Sequence, residues 1–245
     1  MRSLLLITLA FLLPVSVAWP CAQRPPMRNE LSLVTAADTT IPGDGAILVT
    51  RHEVPTRGRD GDADFDERWT VKDGEGHDVA LTVEILGGGV ERWQPKVPAD
   101  RDLVILDEAG KEIAKLHQTK AKSRALAAPR AKSAKSTTLM EDRRKMMSGV
   151  PGGTTTVELG QDPPADARFL AIAVTGSGAF AHSALAPTPG SRTLEWTTHT
   201  HKTCAGGGVE SLVVGQHIAL AWIDGLGRRS APAALTVGQR PQPTK

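Results

Sequence analysis

The sequence predicts an all-β protein of two antiparallel β-sandwiches behind an export leader, and three observations carry that prediction. The first residues form a leader, short apolar runs then recur with Gly, Pro and Asp between them, and no stretch between residues 28 and 118 holds a 3.6-residue apolar period over three turns.

The leader is Met1-Arg2-Ser3, an apolar run from Leu4 to Leu13, a break at Pro14 and the small residues Ser16-Val17-Ala18. One positive charge, a short apolar core and small side chains at the cleavage positions make residues 1–18 a secretory signal peptide. Leu4 to Leu13 is about half the roughly 20 residues a spanning helix needs, which argues against a retained membrane span. Trp19 and Pro20 before Cys21 do not resemble the small residues that precede a lipidated cysteine. Cleavage after Ala18 removes Arg2 and leaves 28 basic against 27 acidic residues, a net charge near +1 that steers the chain toward neither nucleic acid nor membrane. The expected location is the periplasm or the exterior.

After a tail over residues 19–27, a first domain is expected over 28–118. Leu31 to Val34 and Ala46 to Val49 are its opening strands, the second following Pro42-Gly43-Asp44-Gly45. Trp69 to Val71 and Val79 to Leu86 follow, parted by Asp73-Gly74-Glu75-Gly76. Leu103 to Leu106, a turn at Asp107-Glu108-Ala109-Gly110 and a return through Ile113 to Leu116 make a hairpin. From Lys115 to Lys135 there are seven Lys or Arg and no acidic residue, a composition that buries little, so a solvated basic linker is expected over 119–128.

A second domain is expected over 129–238, before a short tail over 239–245. Its strands are read at 154–159, 168–174, 179–185, 192–200, 210–214, 216–223 and 233–237, a density that suits an immunoglobulin-like sandwich. The last hairpin is the most specific part. Ile218 to Asp224, then Gly227, Ser230, Pro232 and a closing run from Ala233 to Val237, resembles the final hairpin of fibronectin type III domains. The resemblance implies that Leu220 and Trp222 face the core and that Asp224 begins the turn. It departs from the family at Gln216, where a tyrosine is usual, and at Trp222, where a small residue is. The opening at Pro42-Gly43-Asp44-Gly45 likewise resembles immunoglobulin-like modules of bacterial cell-envelope proteins.

Candidate chemistry is sparse. Cys21 and Cys204 are the two cysteines, and an oxidising compartment favours a bridge between them; a lone thiol at Cys204 and an intermolecular bridge are the alternatives. Asp60, Asp62, Asp64 and Asp66 alternate as calcium ligands do, but Phe65 and Val71 stand where an EF-hand counted from Asp60 needs Gly and Glu. A solvated loop neutralised by Arg57, Arg59 and Arg68 competes with calcium there. His199 and His201 share a strand face and lack the further ligands that a zinc site requires, so a polar outer face is the preferred reading. Trp69, Trp93, Trp196 and Trp222 offer rings for sugar stacking, with core filling as the alternative in a chain poor in Phe and without Tyr; Trp93, between Arg92 and Gln94, is the candidate for an exposed ring, while Trp222 reads as core. The basic run lacks the interleaved aromatics of nucleic-acid readers, which leaves anionic glycans or lipid head groups as its partners if it has any, but a solvated linker and an exposed edge strand guarded by charge are the preferred readings. Neither Gly176-Ser177-Gly178 nor the triple glycines at 87–89 and 206–208 match a nucleophile elbow or a phosphate loop. No set of catalytic roles converges, so the expectation is a non-catalytic envelope protein that binds or supports through its loops and edges, with an envelope protein or glycan as partner. A calcium- or glycan-binding accessory domain is the alternative and a hydrolase a distant one.

Overall fold

The computed structural model describes residues 27–55, 65–96, 100–136, 153–175, 183–198, 212 and 214–240. These residues form strands, turns and extended connections with no helix among them.

The N-terminal half carries β1 (Met27–Leu33), β2 (Thr39–Ile41), β3 (Ile47–Pro55), β4 (Phe65–Asp66), β5 (Thr70–Asp73), β6 (Leu81–Gly87), β7 (Val90–Pro95), β8 (Arg101–Leu106) and β9 (Glu112–Gln118). One sheet runs β4-β1-β3-β7-β6 and the other β2-β9-β8-β5. Setting aside the short strands β4 and β2, the order is ABED facing GFC, the immunoglobulin arrangement. The chain changes sheets between β1 and β2, where Asp38 takes a left-handed φ of 57° and its amide donates to the Lys115 carbonyl. β2 then lies parallel to β9, with Thr39 opposite Leu116. Alternate residues of the facing strands fill the space between the sheets. Ile47, Val49, Trp93, Leu103, Ile105 and Leu116 are all buried there, with Leu31 and Val71.

The C-terminal half carries β10 (Ala131–Ser136), β11 (Gly153–Leu159), β12 (Ala167–Val174), β13 (Ser183–Leu185), β14 (Thr193–Thr198), β15 (His217–Asp224) and β16 (Ala233–Gln239). The hydrogen-bonded order is β13-β12-β15-β16-β10-β11-β14. β16 is the hinge of that ribbon: Ala233 to Thr236 pair antiparallel with β15, and Val237 to Gln239 pair parallel with β10. The ribbon folds over at β16, so that Val157, Leu159 and Leu194 share a core with Leu170, Ile172, Leu220 and Trp222.

The hairpin resemblance holds in detail. Leu220 and Trp222 are buried, and Asp224 begins the turn, its Oδ1 accepting from the Leu226 and Arg228 amides at 3.0 and 2.8 Å. Ser230 closes it: its Oγ accepts from the Trp222 amide at 2.9 Å while its own amide donates to the Trp222 carbonyl.

The basic linker departs from the solvated connector expected of it. Its side chains are mostly exposed, but its backbone is held. The Gly43 amide donates to the Ala121 carbonyl at 2.9 Å, the Ser123 amide and hydroxyl both donate to Asp44, and Arg228 Nη1 donates to the Arg124 carbonyl. Nor is β10 an edge guarded by charge; it lies between β16 and β11, because its small residues Ala134 and Ser136 fit inward while Lys132 points out.

A third apolar cluster joins the halves: Leu48, Leu86 and Val90 meet Ala171 and Ile223, with Val34, Phe169 and Ala184 at its margin. Around it the Ala46 amide donates to the Leu226 carbonyl at 2.9 Å, and Arg92 Nε donates to the Gly227 carbonyl at 2.6 Å. Glu84 pairs with Arg92 and with Arg229. Burial pushes the Arg92 guanidinium down from its ordinary value, and Glu84 opposes that shift.

Candidate functional site

A concavity lined by two tryptophans and three charged residues lies on the N-terminal sandwich. Along β3, Ile47, Val49 and Arg51 point between the sheets; Trp93 and Glu91 on β7 lie opposite Ile47 and Val49, and Leu31 on β1 lies opposite Arg51. Arg51 and Glu91 thus stand where the apolar row meets water. From the other side, the segment after β4 brings Glu67, Arg68 and Trp69. The six residues Leu31, Arg51, Glu67, Arg68, Trp69 and Trp93 line a cavity of about 350 Å³.

The same tripeptide, Glu-Arg-Trp, supplies both aromatic walls. In Glu67-Arg68-Trp69 the indole Nε1 donates to Glu67 Oε1 at 2.9 Å; in Glu91-Arg92-Trp93 it donates to Glu91 Oε2 at 2.8 Å. Residues two apart in extended chain lie on one face, so a carboxylate can reach the indole edge of its neighbour but one. Each glutamate then uses its second oxygen to fix something else. Glu67 Oε2 accepts from the Leu31 amide at 2.8 Å, and Glu91 Oε1 pairs with Arg51 Nε at 2.7 Å. The two indoles meet edge to face, centroids 6.3 Å apart and planes at 81°, a favoured aromatic geometry. Both rings are therefore locked, and the cavity is pre-shaped.

Trp93 corrects an expectation. It is 5% exposed, not an open platform. Its polar neighbours Arg92 and Gln94 occupy the opposite face of β7, with Arg92 turned toward the junction between the halves, and their character says nothing about the face Trp93 takes. The more exposed of the two rings is the half-buried Trp69.

Of the other sequence candidates, Cys21, Cys204, Asp60, Asp62, Asp64, His199 and His201 lie outside the described residues, as does the leader. Asp66 ends β4, opposite Asn29 of β1. Sequence reasoning missed Arg51, Glu67, Arg68, Trp69 and Glu91 as a group; the repeated tripeptide was the signal that could have found most of them.

Two other places gather polar groups. Asp73, Glu75 and His77 cluster in the β5–β6 turn, but the Asp73 carboxylate is already engaged. It accepts from the Glu75 and His77 amides at 3.0 and 2.9 Å and from Arg101 at 2.7 Å, so it clamps the turn. On the outer face of β8 and β9, His117 Nδ1 and Asp102 Oδ1 are 2.7 Å apart beside a depression of about 470 Å³. Both side chains are exposed, and such surface pairs contribute little.

No family model matches the chain, and no curated protein matches it. Among solved structures, the chain is similar to one described as fibronectin(III)-like modules of Clostridium thermocellum CbhA, at 9% identity over 86% of this chain and 94% of that one, with a TM-score of 0.24. What gives this chain its immunoglobulin-like arrangement is its own strand order, ABED facing GFC in the N-terminal half and ABE joined through β16 to the sheet of β12, β13 and β15 in the C-terminal half.

Proposed function

We propose that the chain is an exported, non-catalytic module of the cell envelope, in which two immunoglobulin-like sandwiches act as one rigid binding or structural unit. The observation that carries this reading is the junction between the halves. A buried apolar cluster, hydrogen bonds from the Ala46 amide and Arg92 Nε to the Leu226 and Gly227 carbonyls, and the Glu84, Arg92 and Arg229 group tie one half to the other. Tandem domains joined only by a flexible linker move independently by default, and a packed apolar interface removes that freedom. A rigid tandem holds two sets of loops at a fixed spacing, which suits a spacer or a two-point binder. The polar groups of the concavity between Trp69 and Trp93 also serve to hold its rings, with each glutamate oxygen already accepting a hydrogen bond.

Fractionation of bacteria expressing the full chain, with mass spectrometry and in-cell crosslinking, tests the proposal. The expected result is a mature form beginning at Trp19 in the envelope or medium, crosslinked to a discrete partner. An uncleaved cytoplasmic chain would overturn the export half, and a purified chain that turns over substrate would overturn the non-catalytic half.

A further inference from the structure

We infer that the cavity between Trp69 and Trp93 is a binding site for a neutral, hydroxyl-rich ring, a pyranose unit of an uncharged oligosaccharide. The argument starts from charge. Arg51, Arg68 and Glu67 line the cavity, and Glu91, paired with Arg51, and Glu108, whose Oε1 accepts from the Arg68 amide, adjoin it. Charges of both signs are interleaved there, so a phosphate meets the glutamates as well as the arginines, and a quaternary ammonium meets the arginines as well as the indoles. Neither sign is selected.

Hydrogen-bonding capacity comes next. Among the described residues each glutamate oxygen accepts one hydrogen bond, and a carboxylate has room for about four in all, so acceptor sites remain. Among the described residues the Arg51 side chain is engaged through Nε and the Arg68 side chain makes no hydrogen bond, and both line the cavity, where their remaining N–H groups can donate. Acceptors and donors thus stand side by side at the mouth of the cavity. A hydroxyl is both donor and acceptor, and a pair of neighbouring hydroxyls can give a hydrogen to a glutamate while accepting one from an arginine.

The aromatic wall completes the match. Trp69 is fixed by its bond to Glu67 and by its edge-to-face contact with Trp93, so the part of it that lines the cavity is presented without further loss of rotamer freedom on binding. A pyranose has an apolar face of axial C–H groups that can lie on such a ring, with its hydroxyls directed outward to the polar rim. The inference goes beyond the rigid-unit reading above and does not depend on it: a chain that binds no sugar would still hold its two halves together.

The experiment is an array of neutral and acidic glycans probed with the full chain. Isothermal titration of the strongest neutral hit follows, with inorganic phosphate and choline chloride titrated alongside. The expected result is saturable binding of a neutral oligosaccharide with a Kd of about 1 mM or tighter and a change in tryptophan fluorescence. Trp69→Ala is expected to weaken it at least tenfold. Arg68→Ala, which removes an exposed side chain that makes no hydrogen bond among the described residues, is expected to weaken it severalfold with an unchanged melting temperature, so a loss cannot be ascribed to unfolding. Three results would each overturn the inference: an array with no neutral hit, preference for phosphate, choline or acidic glycans, or saccharide binding that both substitutions leave unchanged.

Discussion

At the scale of single residues, carboxylates do most of the organising. Asp73 is buried at the β5–β6 turn, and its carboxyl is held below the ordinary Asp range chiefly by the His77 amide, with the Glu75 amide and the nearby His77 ring adding and burial opposing. A carboxyl whose pKa is lowered by folding stabilises the fold above its unfolded value of about 4, and that contribution disappears as pH falls through the folded value. Asp73→Asn keeps the shape and loses the charge. The substitution is expected to lower the melting temperature by on the order of a few degrees at pH 7, and the gap to the parent is expected to close as the pH falls below the unfolded value and through the lowered folded one. Thermal melts of both proteins across that range check it; a gap that is constant with pH would mean that the lost acceptor, not the charge, matters. Glu67 and Glu91 organise the indoles in the same way. The pattern was in the sequence as a repeated Glu-Arg-Trp, but polar residues beside Trp93 suggested exposure when period-two alternation puts them on the other face.

At the scale of elements, what could be read in the sequence followed apolar content. Strands with apolar inward rows, such as Leu103-Val104-Ile105-Leu106 and Ile218 to Ile223, are where they were expected. β7 was passed over because four of its six residues are Glu, Arg, Gln and Pro, and its core-facing Glu91 is made tolerable only by partners that come from elsewhere, Arg51 and the Trp93 indole. β10, with the sequence Ala-Lys-Ser-Ala-Lys-Ser, was given no strand although it lies within the expected second domain, since small residues carry little burial signal; its place between β16 and β11 is set by tertiary pairing. The β15–β16 hairpin was legible because its turn chemistry is local. Ser230 gives that hairpin a direct test. Its Oγ is the partner of the buried Trp222 amide, so Ser230→Ala leaves a donor without its acceptor and is expected to cost about 1–3 kcal/mol. Ser230→Thr keeps the hydroxyl and is expected to recover part of that loss. Equilibrium urea unfolding of the two variants decides it, equal midpoints arguing against a role for the hydroxyl.

At the scale of the whole molecule, the junction is what the sequence could not disclose. Its partners are far apart along the chain: Arg92 reaches Gly227, Glu84 reaches Arg229, and the Ala46 amide reaches Leu226. Gly227 is where this can be probed. It has φ of +65°, and a Cβ added there would fall 2.4 Å from the Ala46 carbonyl oxygen, so the residue both permits the turn and lets the two backbones approach. Gly227→Ala is expected to cost upwards of about 2 kcal/mol, from left-handed strain together with the clash. That loss should fall on the junction and not on either core, because the core clusters of the two halves do not include the Gly227 or Ala46 contact. Ile223→Asp attacks the same junction differently, placing a charge among Leu48, Leu86 and Val90. If the halves behave as one body, the parent unfolds in a single calorimetric transition whose van't Hoff and calorimetric enthalpies agree. Both substitutions should then resolve the heat absorption into two peaks, one for each half, and should loosen the relative positions of the halves in small-angle scattering. Two peaks already present in the parent would show that the halves unfold independently despite their contacts, and the rigid-unit reading would fall with that result.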